Sequence, residues 1–285
     1  MKITVIGATG YIGSRIYALA DRFTEVLGTS TTGATPYIKL TLHYPNDFDY
    51  SLISNGDAVI LTAAISAPDI CTKEYQRAWN VNVVGTTAFI ERVLERGARV
   101  VFFSSDTVYG EQMVEVNEDN AYTPAGEYAV MKNEVERHFL ANPFFKALRL
   151  SYVFSREDKF TAYLLRTASR GEEAEIFHPF YRMVIHRDDV VDGVFALVQR
   201  WDEFPRAVIN FGGPEMLSRK EFADVLRDTV LPSLRYRVTK PDVGFFKNRP
   251  KVIRMVSPVL EALLGRRART LREAVLIEFK EEKDG

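Results

Sequence analysis

Residues Ile3–Gly13 read ITVIGATGYIG, a short apolar run followed at once by three glycines. The run Ile3–Ile6 is typical of a strand that is covered on both faces in a parallel sheet. Gly7, Gly10 and Gly13 follow where the chain must turn tightly into a helix and let a ligand approach its backbone closely. The helix that begins there offers free N–H groups and a positive dipole end to phosphate groups. The stretch therefore predicts a dinucleotide site at the first strand-to-helix turn.

Apolar, β-branched runs recur along the chain and alternate with helical patterns. Strands are predicted at Ile3–Ile6, Glu25–Leu27, Ala58–Leu61, Arg99–Phe103, Ala147–Leu150 and Ala207–Asn210. Helices are predicted at about Ile12–Arg22, Thr72–Arg96, Gly126–Leu140 and Asp188–Arg200. Because strands that alternate with helices build βαβ units, we expect an α/β fold with a Rossmann-type doubly wound parallel sheet.

The pattern loosens after about residue 151, where prolines and aromatic residues gather at Phe177–Tyr181 and again at Pro241–Pro250. We expect a dinucleotide-binding domain over residues 1–155, with a return segment at about 183–210. Residues 156–182 and 211–285 are then expected to form a smaller, discontinuous C-terminal substrate lobe.

Composition excludes several classes of protein. The 285 residues are 46% hydrophobic and 26% charged, as in globular proteins, without an apolar stretch long enough to span a membrane. The 37 Lys+Arg residues balance 38 Asp+Glu residues, so the charge favours no nucleic-acid partner. The single cysteine, Cys71, excludes an intramolecular disulfide and favours a reducing compartment. The four histidines lack metal-ligand spacing, and the N-terminus resembles a first strand and not a signal peptide. We expect a soluble cytoplasmic protein with no membrane partner and no metal.

The second strand lacks the acidic residue that holds the ribose 2′-hydroxyl in many NAD sites. The strand Glu25–Leu27 runs into a Gly-Thr-Ser-Thr-Thr segment without a carboxylate that would repel a 2′-phosphate. The hydroxyls of Ser30, Thr31 or Thr32 can donate to that phosphate, and Arg15 or Lys39 can add positive charge. The sequence therefore favours NADP, and NAD bound through weaker ribose contacts is the alternative.

Tyr128 and Lys132 are four residues apart in a helical pattern, so both lie on one helix face. A phenol with a pKa of about 10 is a poor acid–base catalyst near neutral pH, and a neighbouring ammonium favours the phenolate. Upstream, the strand Arg99–Phe103 ends in Ser-Ser-Asp, at the edge where such sheets bind ligands. Ser105 there is expected to hydrogen-bond a substrate oxygen beside Tyr128. Taken singly, these residues also fit a half-buried tyrosine, a solvated lysine and a turn.

In this order the motifs resemble those of the extended short-chain dehydrogenases/reductases, a family of nucleotide-sugar epimerases, dehydratases and reductases. The resemblance covers most of the chain and is densest over residues 1–200. It is carried by GATGYIG, Ala63-Ala64, NVVGT with Asn82, SSDTVYG, YAVMK, and an R-x-x-I-H-x-x-D segment that begins at Arg182. It implies that Tyr128 donates or accepts the reacting proton, that Lys132 holds the nicotinamide ribose, and that Ser105 orients the substrate oxygen.

The resemblance also implies the remaining contacts. Arg182 is expected to bind phosphate, and Asn82 to brace the sheet. Substrate contacts are expected at Ser66, Ser105, Asp106 and Arg182. Cofactor contacts are expected at Gly7, Thr9, Gly10, Tyr11, Ile12, Gly13, Ser30, Thr31, Ala63, Ala64, Tyr128, Lys132 and Tyr152. The helices at 72–96 and 126–140 are expected to form a homodimer interface, with core packing as the alternative use of their apolar stripe.

One substitution separates the branches of the family. Ser105-Asp106-Thr107 stands where its 4,6-dehydratases usually have Thr-Asp-Glu, so their glutamate base is missing unless Glu111 reaches the site. Reductases resembling dTDP-4-dehydrorhamnose reductase often keep a hydroxyl residue followed by Asp, and they resemble this chain at Asn248-Arg249-Pro250. The resemblance therefore favours reduction of a 4-keto sugar nucleotide by NADPH. An NAD-dependent epimerase or dehydratase, and a non-catalytic NADP-binding regulatory subunit of the same fold, are the alternatives.

Overall fold

The computed structural model describes residues 1–22 and 24–280, so the last five residues of the predicted lobe lie outside it. The strands are β1 (Ile3–Ile6), β2 (Val26–Ser30), β3 (Ile38–Lys39), β4 (Ala58–Leu61), β5 (Arg99–Ser105), β6 (Gln112–Val116), β7 (Phe145–Leu150), β8 (Tyr152–Phe154), β9 (Glu173–Phe177), β10 (Tyr181–His186), β11 (Val208–Phe211), β12 (Glu215–Ser218), β13 (Arg235–Thr239) and β14 (Ile253–Met255). The α-helices are α1 (Gly13–Ala20), α2 (Pro68–Lys73), α3 (Tyr75–Trp79), α4 (Thr86–Glu95), α5 (Glu127–Phe139), α6 (Lys159–Ser169), α7 (Arg187–Gln199), α8 (Arg219–Thr229), α9 (Pro258–Leu264) and α10 (Leu271–Glu278). Over the same described ranges, no helix has the length and apolar character needed to cross a membrane.

Seven parallel strands form the central sheet, in the order β11-β7-β5-β4-β1-β2-β3. The predicted α/β, doubly wound sheet is confirmed. The strand order reverses between β1 and β4, because β2 follows on one side of β1 and β4 pairs on the other. In open α/β sheets a ligand crevice lies at such a reversal, beyond the carboxyl ends of the strands. The glycine turn that follows β1 opens at this point.

Helices cover both faces of the central sheet, which explains why its strands are unbroken apolar runs. One face packs on α1, α7 and α9 through residues such as Ile16, Val194 and Leu260. The other face packs on α4 and α5 through residues such as Phe89 and Val135. With a core on each face the sheet is rigid, so the loops at its carboxyl edge are held on fixed supports.

A third apolar core is built from residues that follow β7. Phe154, Leu164, Ile176, Phe222 and Val275 are fully or almost fully buried within it. Around it lie a three-stranded sheet in the order β12-β10-β8 and a two-stranded sheet of β13 with β9, while a two-stranded sheet of β14 with β6 packs in a separate small apolar cluster. This core supports the idea of a second lobe, while the predicted lobe boundaries stay a prediction.

The helix predicted at about Thr72–Arg96 is present but interrupted at Glu74, and from Tyr75 to Glu95 the chain is helical throughout. The chain leaves helical geometry at Glu74, with φ −117° and ψ 47°, and forms a π-helix at Asn80–Gly85 before α4. The end of the π-helix packs closely against the preceding loop. A Cβ at Gly85 would lie 1.5 Å from the carbonyl oxygen of Leu42, so only glycine lets the helix pass that close to the preceding loop.

Candidate cofactor cleft and active site

A cleft of about 730 Å³ opens at the carboxyl edge of the central sheet. It is lined by the loops after β1, β2 and β4, the end of β5 and one face of α5. Twelve of the predicted cofactor residues line this one cleft: Gly7, Thr9, Gly10, Tyr11, Ile12, Gly13, Ser30, Thr31, Ala63, Ala64, Tyr128 and Lys132. The fold thus brings together residues that are up to about 125 positions apart in the sequence.

The glycine turn has the geometry of a phosphate cradle. Gly7 has φ +86°, which glycine adopts without the steric cost that other residues carry. A Cβ at Gly13 would lie only 2.2 Å from the carbonyl oxygen of Gly7 and 2.7 Å from Oγ1 of Thr62. Because side chains are excluded there, the backbone N–H groups at the start of α1 stay accessible, and no side chain caps them. These residues fit the pyrophosphate of a dinucleotide.

Tyr11 ties this glycine turn to β8 and the residue that follows it. Its hydroxyl donates to Oγ of Ser155 at 2.9 Å and lies 3.2 Å from the carbonyl oxygen of Val153. The guanidinium of Arg187 stands 5.2 Å from the centre of the Tyr11 ring. Burial raises the pKa of the Tyr11 phenol, so it stays neutral and acts as a hydrogen-bond donor.

The end of β2 carries hydroxyls and one unengaged cation. Ser30 is buried and its Oγ accepts from the N–H of Gly33 at 3.0 Å, while Thr31 is exposed. Of the two cations proposed for a 2′-phosphate, Arg15 is held by Asp188 through two bonds of 2.8 Å. Lys39 pairs with Ser30 across β2 and β3 and is exposed, and no hydrogen bond or ion pair engages its ammonium among the described residues. Lys39 is therefore the cation of this pair that is free to bind an anion.

Tyr128 and Lys132 lie on adjacent turns of α5 and face the cleft. Lys132 is buried, its Nζ donates to the carbonyl oxygen of Phe103 at 2.7 Å, and it stands 5.7 Å from the centre of the Tyr128 ring. Burial lowers the pKa of Lys132 to about 7. Burial raises the pKa of the Tyr128 phenol, with smaller contributions from Cys71 and Asp106. In the protein without a cofactor, burial therefore keeps the Tyr128 phenol protonated.

Ser105 lies at the end of β5 but does not line the cleft. Its Oγ caps the 3₁₀ turn Asp106–Tyr109, accepting from the N–H of Thr107 at 3.2 Å and from its hydroxyl at 2.9 Å. It lies 3.3 Å from Oδ1 of Asp106, to which it donates. Ser66, by contrast, is exposed on the cleft wall.

Asp106 and Arg182 contact each other instead of lining the cleft. Both are buried, with Nε of Arg182 3.7 Å from Oδ2 of Asp106. The guanidinium also donates to the carbonyl oxygens of Tyr181 and Pro250, at 2.6 and 2.9 Å. Burial raises the pKa of the Asp106 carboxyl against the opposing effects of Arg182 and of Ser151, whose hydroxyl donates to it at 2.8 Å. Both side chains therefore have partners within the protein before any substrate binds.

Tyr152 is also separated from the cleft. It lines a second, small cavity with Phe160, Phe180 and Arg219. Its hydroxyl donates to Asp158, and burial raises the pKa of the phenol. The structure thus brings together the glycines, Tyr128 and Lys132, but not Tyr152.

Asn82 braces the loop after β4 through Ile65. Its amide accepts from the N–H of Ile65 and donates to the carbonyl oxygen of the same residue, both at 2.9 Å. The thiol of Cys71 donates to that carbonyl at 3.1 Å. Ala63 and Ala64 belong to this loop, so the buried amide fixes one wall of the cleft.

Several cleft residues are missing from the sequence prediction. Leu40, Thr41, Leu42 and His43 line the cleft from the loop after β3, and Arg77 and Val81 line it from α3 and the π-helix. β3 has only two residues, too few for a periodic signal, so the position of its loop could not be foreseen. Arg77 and Val81 are four residues apart, which is a helical signal, but the broken helix decides where they lie.

The fold and the cleft together define a class of protein. A seven-stranded parallel sheet, a glycine turn at its reversal point, and a Tyr-x-x-x-Lys helix on the cleft wall form the architecture of the extended short-chain dehydrogenases/reductases. Within that class, the chain belongs to the RmlD substrate binding domain family, whose model matches residues 1–282.

Individual relatives differ in activity. The chain is 22% identical over 307 residues to UDP-glucuronic acid decarboxylase 3 of Arabidopsis thaliana, covering 92% of this chain and 88% of that protein. It is 25% identical over 256 residues to methionine adenosyltransferase 2 subunit beta of Xenopus laevis, covering 85% and 77%. A dTDP-4-dehydrorhamnose reductase from Clostridium acetobutylicum has a similar structure, with a TM-score of 0.82, 20% identity and full coverage of both chains. Solved structures of the same fold also include nucleotide-sugar epimerases and a dehydratase, several with NAD.

Proposed function

We propose that this protein is an NADPH-dependent reductase of a nucleotide-linked 4-keto sugar. The observation that supports the proposal most strongly is that the partly buried, neutral phenol of Tyr128 and the side chain of Lys132 line the same cleft as the glycine cradle. A protonated phenol suits reduction, in which the new alkoxide must receive a proton. The expectation of NAD(P)-linked chemistry is supported by relatives and solved structures that act on sugar nucleotides.

NADP is the proposed cofactor, with NAD as the alternative. When bound, it supplies or accepts the hydride. The glycines and the start of α1 would hold its pyrophosphate, and Lys132 its nicotinamide ribose. Lys39 and Thr31 favour the 2′-phosphate because both are exposed beside the end of β2, where no carboxylate opposes a second anion. NAD remains the alternative cofactor because solved structures of similar fold contain it.

Tyr128 is the proposed proton donor to the substrate oxygen. Its neighbour Lys132 is fixed by the Phe103 carbonyl, so the amino group stays close as the phenol loses its proton. Ser105 is proposed to orient the same oxygen, and for this its hydroxyl must exchange Asp106 for the substrate as acceptor. Ser66, Asp106 and Arg182 remain proposed substrate contacts, the last two only if binding loosens their mutual contact.

Glu111 does not replace the glutamate base that the 4,6-dehydratases use. That side chain is exposed and accepts a hydrogen bond from the backbone N–H of Lys251, beside β14. A general base must reach the proton it removes. This contact favours reduction over 4,6-dehydration.

Two alternatives are retained. An NAD-dependent epimerase would use the same tyrosine in a reversible oxidation and reduction. A non-catalytic NADP-binding regulatory subunit is favoured by one specific observation, the 25% identity to a protein that is named as a subunit. The regulatory reading leaves the complete set of Ser105, Tyr128 and Lys132 without a use, so we place it second.

We further propose a cytoplasmic homodimer. Tyr75, Val84 and Val130 are 43, 54 and 41% exposed on α3, the π-helix and α5, which supports the predicted interface at residues 72–96 and 126–140. The buried, unpaired Cys71 is consistent with a reducing compartment. Light scattering of the purified protein measures the dimer directly, and Val84→Glu is expected to give monomers.

Native mass spectrometry of the purified protein followed by a turnover assay tests the function. We expect an empty or NADP-loaded protein that oxidises NADPH when given a dTDP-4-keto-6-deoxyhexose or its UDP counterpart. Tyr128→Phe is expected to lower turnover at least about 100-fold while cofactor affinity changes less than about twofold. Tightly retained NAD would favour the epimerase, and full activity of Tyr128→Phe would overturn the proposed mechanism.

A further inference from the structure

Ser104 carries a buried hydroxyl without a hydrogen-bond partner in the wall of the cleft. The residue is 4% exposed and lines the cleft together with Phe103 and Lys132. Its Oγ has no donor or acceptor within reach among the residues that the structure describes. Buried hydroxyls are nearly always paired, because an unpaired one carries an uncompensated desolvation cost. An unpaired hydroxyl in a ligand cleft therefore indicates that its partner arrives with the ligand.

The direction of β5 shows which ligand region this hydroxyl meets. Side chains alternate along a strand, so Ser104 lies on the same face as Phe102, and Ser105 lies on the opposite face. Nζ of Lys132 is 4.4 Å from the centre of the Phe102 ring, so the face of Ser104 is the one that meets α5. Ser104 thus belongs to the same end of the cleft as Tyr128 and Lys132, away from the β2 end.

We propose that Ser104 is a cofactor-binding residue that hydrogen-bonds the nicotinamide half of NADP(H). The inference rests on the proposed function, because it assumes that this cofactor occupies the cleft. A serine hydroxyl can donate or accept, and the carboxamide and ribose hydroxyls of that half offer both kinds of partner. Ser105 cannot take this role in the observed geometry, because its hydroxyl caps the 3₁₀ turn and lies on the other face of the strand.

The experiment compares two ligands by calorimetry on the full chain. NADPH contains the nicotinamide half, and 2′,5′-ADP lacks it. Ser104→Ala is expected to bind NADPH about three- to tenfold more weakly, because one hydrogen bond is lost. Its affinity for 2′,5′-ADP is expected to be unchanged. Ser104→Thr keeps the hydroxyl and is expected to bind NADPH within about twofold of the unaltered protein. Ser105→Ala, the matched control, is expected to leave both cofactor affinities unchanged. If the protein prefers NADH, the pair is NADH and 5′-ADP.

Thermal unfolding separates a binding role from a structural one. An unpaired hydroxyl stabilises nothing in the free protein, so Ser104→Ala is expected to keep or raise the Tm. The inference is overturned if Ser104→Ala weakens both ligands equally, leaves NADPH binding unchanged, or lowers the Tm by several degrees. If the unaltered protein binds neither NADPH nor NADH, the proposed cofactor is wrong, and the inference falls with it. Binding by the unaltered protein therefore distinguishes failure of the proposed cofactor from failure of the Ser104 inference alone.

Discussion

Replacement of Lys132 by methionine tests the electrostatics of the cleft in depth. Lys132 is buried, and burial lowers its pKa from 10.5 to about 7. One pKa unit corresponds to about 1.4 kcal/mol. At pH 7.5, folding must therefore deprotonate Lys132, and this lowers the free energy of unfolding by about 4 kcal/mol. Methionine removes that cost but leaves the Phe103 carbonyl without its 2.7 Å donor, a loss of about 1–3 kcal/mol. We therefore expect Lys132→Met to unfold with a free energy about 1–3 kcal/mol higher at pH 7.5.

The depressed pKa of Lys132 also fixes the direction in which the free energy of unfolding changes with pH. Between the folded pKa of about 7 and the unfolded value of 10.5, the unfolded chain binds more protons at this position. The stability of the unaltered protein therefore rises with pH in that window, by about 1.4 kcal/mol per unit from Lys132, and the variant lacks this contribution. The difference in unfolding free energy between Lys132→Met and the unaltered protein should therefore fall by about 3 kcal/mol between pH 7.5 and 9.5. Urea unfolding at several pH values measures it, and other titrating groups cancel in the difference between the two proteins.

Lys146 provides the matched control. It is also buried, away from the cleft, with a pKa lowered to about 8 by burial, and its Nζ donates to the carbonyl oxygens of Phe204 and Arg206. Lys146→Met should show the same kind of pH dependence without loss of NADPH binding. If the unfolding free energies of Lys132→Met and the unaltered protein have the same pH dependence, the depressed pKa of Lys132 is refuted.

Three further predictions address the cleft walls. Gly13→Ala should weaken NADPH binding at least about tenfold in a fluorescence titration, because its Cβ would lie 2.2 Å from the Gly7 carbonyl oxygen; unchanged binding would contradict the cradle. Lys39→Glu should shift the ratio of NADPH to NADH affinities at least about tenfold toward NADH, and an unaltered ratio would exclude Lys39 as the phosphate contact. Asn82→Ala removes two hydrogen bonds to Ile65 and leaves its N–H unpaired, while its carbonyl keeps the Cys71 thiol as a donor, so urea unfolding should show a loss of about 1–3 kcal/mol; no measurable loss would argue against the bracing role.

The parts of the fold that depend on local signals were predictable from the sequence. β1 and β4 begin and end as predicted, because buried parallel strands are short apolar runs. The glycine turn was found because its residue spacing and its context, a strand before and a helix after, are both local. Tyr128 and Lys132 were found because a spacing of four residues places two side chains on one helix face.

The features that depend on distant contacts were not predictable. Gly85 passes the backbone of Leu42, a contact over 43 positions that no periodic pattern records. Arg182 was expected on phosphate, yet its guanidinium contacts Asp106, the neighbouring Tyr181 carbonyl and the distant Pro250 carbonyl. The proposed roles of Ser104 and Ser105 depend on which face of β5 packs against α5. The sequence does not show this packing.

The most direct measurement of the central claim follows the hydride. The protein is incubated with NADPH deuterated at nicotinamide C4 and a dTDP-4-keto-6-deoxyhexose, and the sugar nucleotide is analysed by mass spectrometry and NMR. The account predicts stoichiometric loss of NADPH and a single deuterium at C4 of the sugar, in the unaltered protein and not in Tyr128→Phe. A product without deuterium, or conversion of the sugar without consumption of NADPH, would contradict it.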